Sequence, residues 1–117
     1  MKFMLIMQLN PQAWEALTEE ERNEVMGGHG EFIKTIQNSG EMVSTDALAG
    51  PAESVVVRGK GGGVQVVSDG PYAEAKEFMG GWYIVDCESK ERAVELAKLI
   101  PDTKVAGLAV EVRPILG

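Results

Sequence analysis

The chain holds one histidine, His29, and one cysteine, Cys87, in 117 residues. An unperturbed imidazole changes charge near neutral pH, so His29 is the first candidate for moving a proton. It stands four residues after Val25 and four before Ile33, which puts its ring on the inward stripe of a helix. A half-buried histidine bonded to backbone would satisfy the same spacing. Asp69 opens the turn Asp69-Gly70-Pro71, where an aspartate carboxylate bonds nearby backbone amides. If that turn folds back over the sheet cleft, the same carboxylate could orient His29 or act as a base. Tyr72 follows, either as a pocket ring and hydroxyl or as an ordinary core aromatic. Lys76 could offer a cation to a small anionic ligand, with Glu74 and Glu77 on a solvated helical face. Arg58 and Glu111 fall on strands, and Glu111 shares its strand face with Arg113. Charged side chains facing a cleft would let it hold a carboxylate, and strand ends reaching solvent would explain them equally. The candidates are therefore His29 and Asp69 for proton transfer, and Tyr72, Lys76, Arg58 and Glu111 for ligand binding.

These residues need elements to place them. Lys2 to Gln8 is nearly continuous in apolar residues and predicts a strand buried on both faces, with Phe3, Leu5 and Met7 opposite Met4 and Ile6. Asn10-Pro11 starts a short helix, as N-cap and first helical residue, that carries Trp14 and Leu17 inward. Thr18 with Glu21 forms a capping box for a second stretch. Val25, Met26, Phe32, Ile33 and Ile36 recur there at helical spacing, and Gly40 is the expected stop. Gly27, Gly28 and Gly30 inside it cost about 1 kcal/mol each against alanine, which predicts a kink or a close approach to the backbone. Met42 to Pro51 reads as an extended piece and a loop. Ser54 to Arg58 and Val64 to Val67 form a hairpin around Gly61-Gly62-Gly63. Trp82 to Asp86 is a strand with apolar residues on both faces. Ser89 caps a helix whose inward stripe is Ala93, Leu96, Ala97 and Ile100, and Pro101 ends it. Gly107 to Arg113 is the last strand. Two helices on one side of such a sheet leave its other face uncovered. A second subunit's sheet is the simplest cover, so a homodimer with sheets face to face is expected. Trp14 and Trp82 read as core or interface anchors.

Composition narrows the classes. Apolar content of 44% and charged content of 25% suit one globular domain spanning residues 1–117. A net charge of −7 without a basic stripe argues against nucleic acid and anionic lipid as partners. No apolar run approaches the roughly 20 residues of a membrane span, and Met1 to Leu9 lacks the flanks of a signal peptide. A lone cysteine forms no intrachain disulfide, which fits the cytoplasm. One histidine and scattered acids give no metal-ligand spacing, and no cofactor is expected. Gly59 and Gly61 to Gly63 sit in a hairpin with no Lys-Ser/Thr after them, so they do not make a P-loop. No serine lies in a nucleophile elbow.

One stretch carries a resemblance. Asp69-Gly70-Pro71-Tyr72, followed by Ala73-Glu74-Ala75-Lys76-Glu77 and Gly80-Gly81, resembles the signature of the DGPF branch of the YCII-related proteins. Met1-Lys2-Phe3-Met4-Leu5, Gly50-Pro51 and Val110-Glu111-Val112-Arg113-Pro114 are similar to that family too, so the likeness spans nearly the whole chain. The resemblance implies an α+β protomer, a ferredoxin-like βαββαβ antiparallel sheet with helices on one face, paired into a dimeric α+β barrel. Relatives on this scaffold include isomerase- or lyase-type enzymes, the setting in which His29 and Asp69 would act on a small organic molecule. Some relatives pair the helix histidine with an acid near the end of the second helix. Here Ile100 stands where that acid is expected, and Asp102 is offset from it. The branch is also similar to proteins associated with extracytoplasmic-function sigma factors, which implies a non-catalytic regulatory module with a protein partner as the alternative.

Overall fold

In the computed structural model, which describes residues 1–70 and 77–117, six strands and three α-helices follow one another along the chain. β1 (Lys2–Leu9) leads to a short α1 (Pro11–Glu15) and the long α2 (Glu19–Asn38). Then come β2 (Met42–Ala47), the hairpin β3 (Val55–Gly61) and β4 (Val64–Asp69), and β5 (Phe78–Asp86). The chain closes this set with α3 (Lys90–Lys98), a 3-10 turn over Pro101–Lys104, and β6 (Ala109–Pro114). The expected charged turn around Glu74 falls mostly outside the described residues.

Local chemistry accounts for the helix boundaries. Asn10 Oδ1 accepts from the amides of Gln12 and Ala13, with Pro11 at the first position of α1. Thr18 and Glu21 exchange bonds in a full capping box that starts α2. Gly40, at φ 76°, takes the left-handed position just past α2, where a β-carbon would be strained. Ser89 Oγ accepts from the Arg92 amide to start α3.

Four strands form one antiparallel sheet in the order β2-β5-β1-β6, the ferredoxin-like order for a βαββαβ chain. The α+β class and the antiparallel sheet expected from sequence are observed. Among the described residues, β3 and β4 pair only with each other, as a separate two-stranded arm inserted between β2 and β5. Five valines of this arm, Val55, Val57, Val64, Val66 and Val67, are exposed. β5 begins four residues before the expected Trp82, and a bulge between Met7 and Gln8 of β1 absorbs one extra residue of β5.

The core lies between the sheet and the helices. Phe3, Leu5 and Met7 of β1, and Tyr83 and Val85 of β5, meet Phe32 and Ile36 of α2 and Ala93, Leu96, Ala97 and Ile100 of the α3 segment. Strand alternation sends Met4, Ile6, Trp82 and Ile84 to the opposite face, where Met4 pairs with Ile84 and Ile6 with Trp82. Met26 departs from its expectation. It is 62% exposed, because the inward stripe of α2 runs through Val25, Phe32 and Ile36 instead. The helix passes through Gly27, Gly28 and Gly30 without interruption, so the glycines make no break in it.

A histidine held between an acid and a phenol

Three elements converge on His29. α2 carries the imidazole on its sheet-facing side, β5 presents Tyr83 from below, and the 3-10 turn after α3 brings Asp102 alongside. His29 Nε2 lies 2.7 Å from Asp102 Oδ1, and His29 Nδ1 lies 2.7 Å from the Tyr83 hydroxyl. The imidazole and phenol planes differ by only 14°, with centroids 5.8 Å apart. Phe32 meets the Tyr83 ring edge-on at 4.8 Å and fixes it from the α2 side. Tyr83 is 2% exposed, whereas the His29 and Asp102 side chains keep 20% and 11% of their surface. Solvent or a ligand therefore meets the group at the His29–Asp102 side.

The glycines explain how Asp102 gets there. A β-carbon on Gly28 would sit 3.0 Å from both Cβ and Cγ of Pro101, while Gly27 and Gly30 have nothing within 4 Å. Of the two expectations for these glycines, close approach is the one observed, and it applies to Gly28. Pro101 packs against the bare helix backbone, and the next residue reaches the imidazole one position along α2. The offset of Asp102 from the expected acid position is thus no obstacle. Ile100 is fully buried in the core, and Asp102 supplies the carboxylate from the turn beyond it.

Electrostatics assign the protons. A carboxylate only accepts, so Asp102 takes the proton of Nε2–H. Burial first, and then the Asp102 charge, push the Tyr83 phenol up to about 12, so it stays neutral and able to donate. With neutral His29, the chain of bonds runs from Tyr83 O–H to Nδ1 and from Nε2–H to Asp102. Such an imidazole has its Nδ1 lone pair bound to the phenol and a countercharge at Nε2. Cys87 offers no competing nucleophile, since it is buried and its thiol is pushed up by that burial.

The other candidates lie elsewhere. Asp69 ends β4, exposed and opposite Val55, and both ring nitrogens of His29 are already taken by Asp102 and Tyr83. Arg58 is exposed on β3, opposite Val66. Glu111 pairs with Ile6 on the sheet face turned away from the helices, bonded to Gln8 and Arg113. It is therefore on the other side of the sheet from His29. Tyr72 and Lys76 lie outside the described residues. Tyr83 is the group that sequence reasoning missed. Its signal was a hydroxyl-bearing residue in phase with Val85, on the inward face of a strand.

The profile of the YCII-related domain matches residues 1–116. The chain belongs to the YCII-related family. An uncharacterised protein of Rhizobium meliloti (strain 1021) is 28% identical over 100 residues, covering 86% of this chain and 80% of that protein. Among solved structures, this YCII-related chain is similar to the 5-chloro-2-hydroxyhydroquinone dehydrochlorinase TftG of Burkholderia phenoliruptrix AC1100, in complex with 2,5-dihydroxybenzoquinone. The superposition has a TM-score of 0.54 at 18% identity, over 100% of this chain and 96% of TftG, a likeness of fold.

Proposed function

We propose that this YCII-related protein binds a small hydroxylated or carboxylate-bearing organic molecule beside His29 and moves a proton on it, in lyase- or isomerase-type chemistry. One observation carries the reading: an imidazole with an acid on one nitrogen and a neutral phenol on the other, open to solvent along the His29–Asp102 side. Asp102 balances the positive charge when the His29–Asp102 pair takes a proton from the ligand, as a carboxylate beside a histidine does in other general bases. The ligand in TftG, a dihydroxybenzoquinone, is a model for the class of molecule to try. Asp69 has no role beside His29 in this reading, since His29 already has its orienting acid. The working unit is a cytoplasmic homodimer, with Met4, Ile6, Trp82 and Ile84 as the apolar patch that a second copy covers.

The test uses the single imidazole as its own reporter. 2,5-Dihydroxybenzoquinone and a set of small carboxylates are titrated into labelled protein, and the ring signals of His29 are followed by NMR. Saturable shifts that vanish in Asp102→Asn are the expected result. Ring signals indifferent to every ligand, or unchanged ligand turnover by His29→Gln, would overturn the reading. A second reading, a binding module without turnover, is favoured by the engagement of both ring nitrogens in the ligand-free protein. It predicts ligand-induced shifts with no product formed, and capture of its ligand or protein partner by His29→Gln as well as by the natural protein.

A further inference from the structure

We propose that Tyr83 is a positioning residue for His29: its hydroxyl donates to Nδ1 and, together with Asp102 on Nε2, holds the neutral imidazole in the single tautomer with its proton on Nε2 and its Nδ1 lone pair bound to the phenol. The inference deepens the acid–base reading of the same site. The geometry is specific to that role. The phenol oxygen and Nδ1 are 2.7 Å apart, and the two rings lie within 14° of parallel. A buried hydroxyl takes hydrogen-bond partners, and that of Tyr83 has the imidazole at 2.7 Å, with the Thr45 hydroxyl also acting on it. Its ring is pinned by Phe32 and by the pairing of β5 with β1 and β2 on either side, so the hydroxyl cannot drift away.

The device works in both protonation states. While His29 is neutral, Tyr83 O–H donates to the Nδ1 lone pair and Nε2–H donates to Asp102. In the imidazolium both ring nitrogens carry hydrogen, and the hydroxyl turns about its C–O bond to accept from Nδ1–H. Asp102 keeps its bond throughout and balances the new positive charge. The same two partners serve both states. The cost of reorganising the site during proton transfer is small for that reason.

Ring-¹⁵N-labelled protein is examined by NMR at a pH where His29 is neutral. The expected result is one tautomer, with a protonated Nε2 and an unprotonated Nδ1 whose resonance is displaced by an accepted hydrogen bond. In Tyr83→Phe, which keeps the ring in the core, the Nδ1 resonance moves to the position of an unbonded lone pair. In Tyr83→Phe combined with Asp102→Asn, both tautomers appear. If the phenylalanine variant folds poorly by its amide fingerprint, 3-fluorotyrosine placed at position 83 replaces it. The more acidic phenol donates more strongly and displaces Nδ1 further from the unbonded position. A natural protein that shows the Nδ1–H tautomer, or an Nδ1 resonance indifferent to both changes at Tyr83, overturns the inference. These readouts need no substrate. A locked tautomer in a protein without turnover would sink the catalytic reading and leave the positioning role standing.

Discussion

Single side chains divide here between the His29–Asp102–Tyr83 group and a structural ion pair. Arg92 of α3 grips Glu41, just before β2, through two bonds of 2.8 and 3.0 Å, and also reaches Glu95. The bidentate bond to Arg92 holds the Glu41 carboxyl below its ordinary value of 4.5. A carboxylate depressed in the folded state stabilises the fold above its unfolded value, and that contribution is lost as pH falls through the folded value. Glu41→Gln should therefore lower the urea midpoint at pH 7, and that difference should shrink progressively as pH falls below the ordinary carboxyl value of 4.5. Equal effects of the substitution above and below that value would show that the pair contributes through packing and not charge. At the same scale, His29 was legible in the sequence, because a helical stripe assigns its ring a direction. Asp102 was not. It lies 73 positions from His29, beyond a proline, and extrapolating the helix led to Ile100. A 3-10 turn advances differently from an α-helix, and only the packing of Pro101 reveals where the next side chain goes.

Elements were read more surely than contacts, because caps and alternation are local. The capping box at Thr18, the left-handed Gly40, the valine hairpin and the inward stripe of α3 all follow from neighbouring residues. The reason for the glycines in α2 does not, since it depends on a turn that packs from the far end of the chain. Their energetics can be separated by substitution. Gly27→Ala places a methyl in open space and should stabilise the protein by about 1 kcal/mol through helix propensity alone. Gly28→Ala gains the same propensity but sets its methyl 3.0 Å from two carbons of Pro101, so it should yield less stability than Gly27→Ala. The ring signals of His29 should also shift in Gly28→Ala and stay fixed in Gly27→Ala, as Asp102 is displaced with Pro101. Thermal midpoints and NMR spectra of the two variants decide the matter. Identical behaviour would mean that the Gly28–Pro101 contact does not set the position of the acid.

On the scale of the whole molecule, the described residues extend 48 × 41 × 18 Å, a thickness fit for one sheet and one layer of helices. The helices cover one face of the four-stranded sheet, and the other carries Met4, Ile6, Trp82 and Ile84. If a second copy covers that face, sedimentation should give twice the 12.6 kDa chain mass, and Met4→Lys should return it to the monomer. A natural protein that sediments as a monomer at micromolar concentration removes the dimer from the proposal.

The sheet order has a further consequence, for the time the chain takes to fold. β1 is an inner strand, yet both of its neighbours, β5 and β6, come from the last forty or so residues. During synthesis the most apolar segment of the chain waits, unpaired on both edges, until nearly everything else has emerged. α2 and the β3–β4 hairpin need no distant partner and can form early. Bringing β1 between its neighbours closes loops of about seventy and about a hundred residues, which places refolding in the slow range of about milliseconds to seconds. Stopped-flow fluorescence of Trp82, whose strand pairs directly with β1, reports that step. A single microsecond phase would mean that the central strand finds its place some other way. During that interval the six residues from Phe3 to Gln8 are the part of the nascent chain with most to gain from a chaperone.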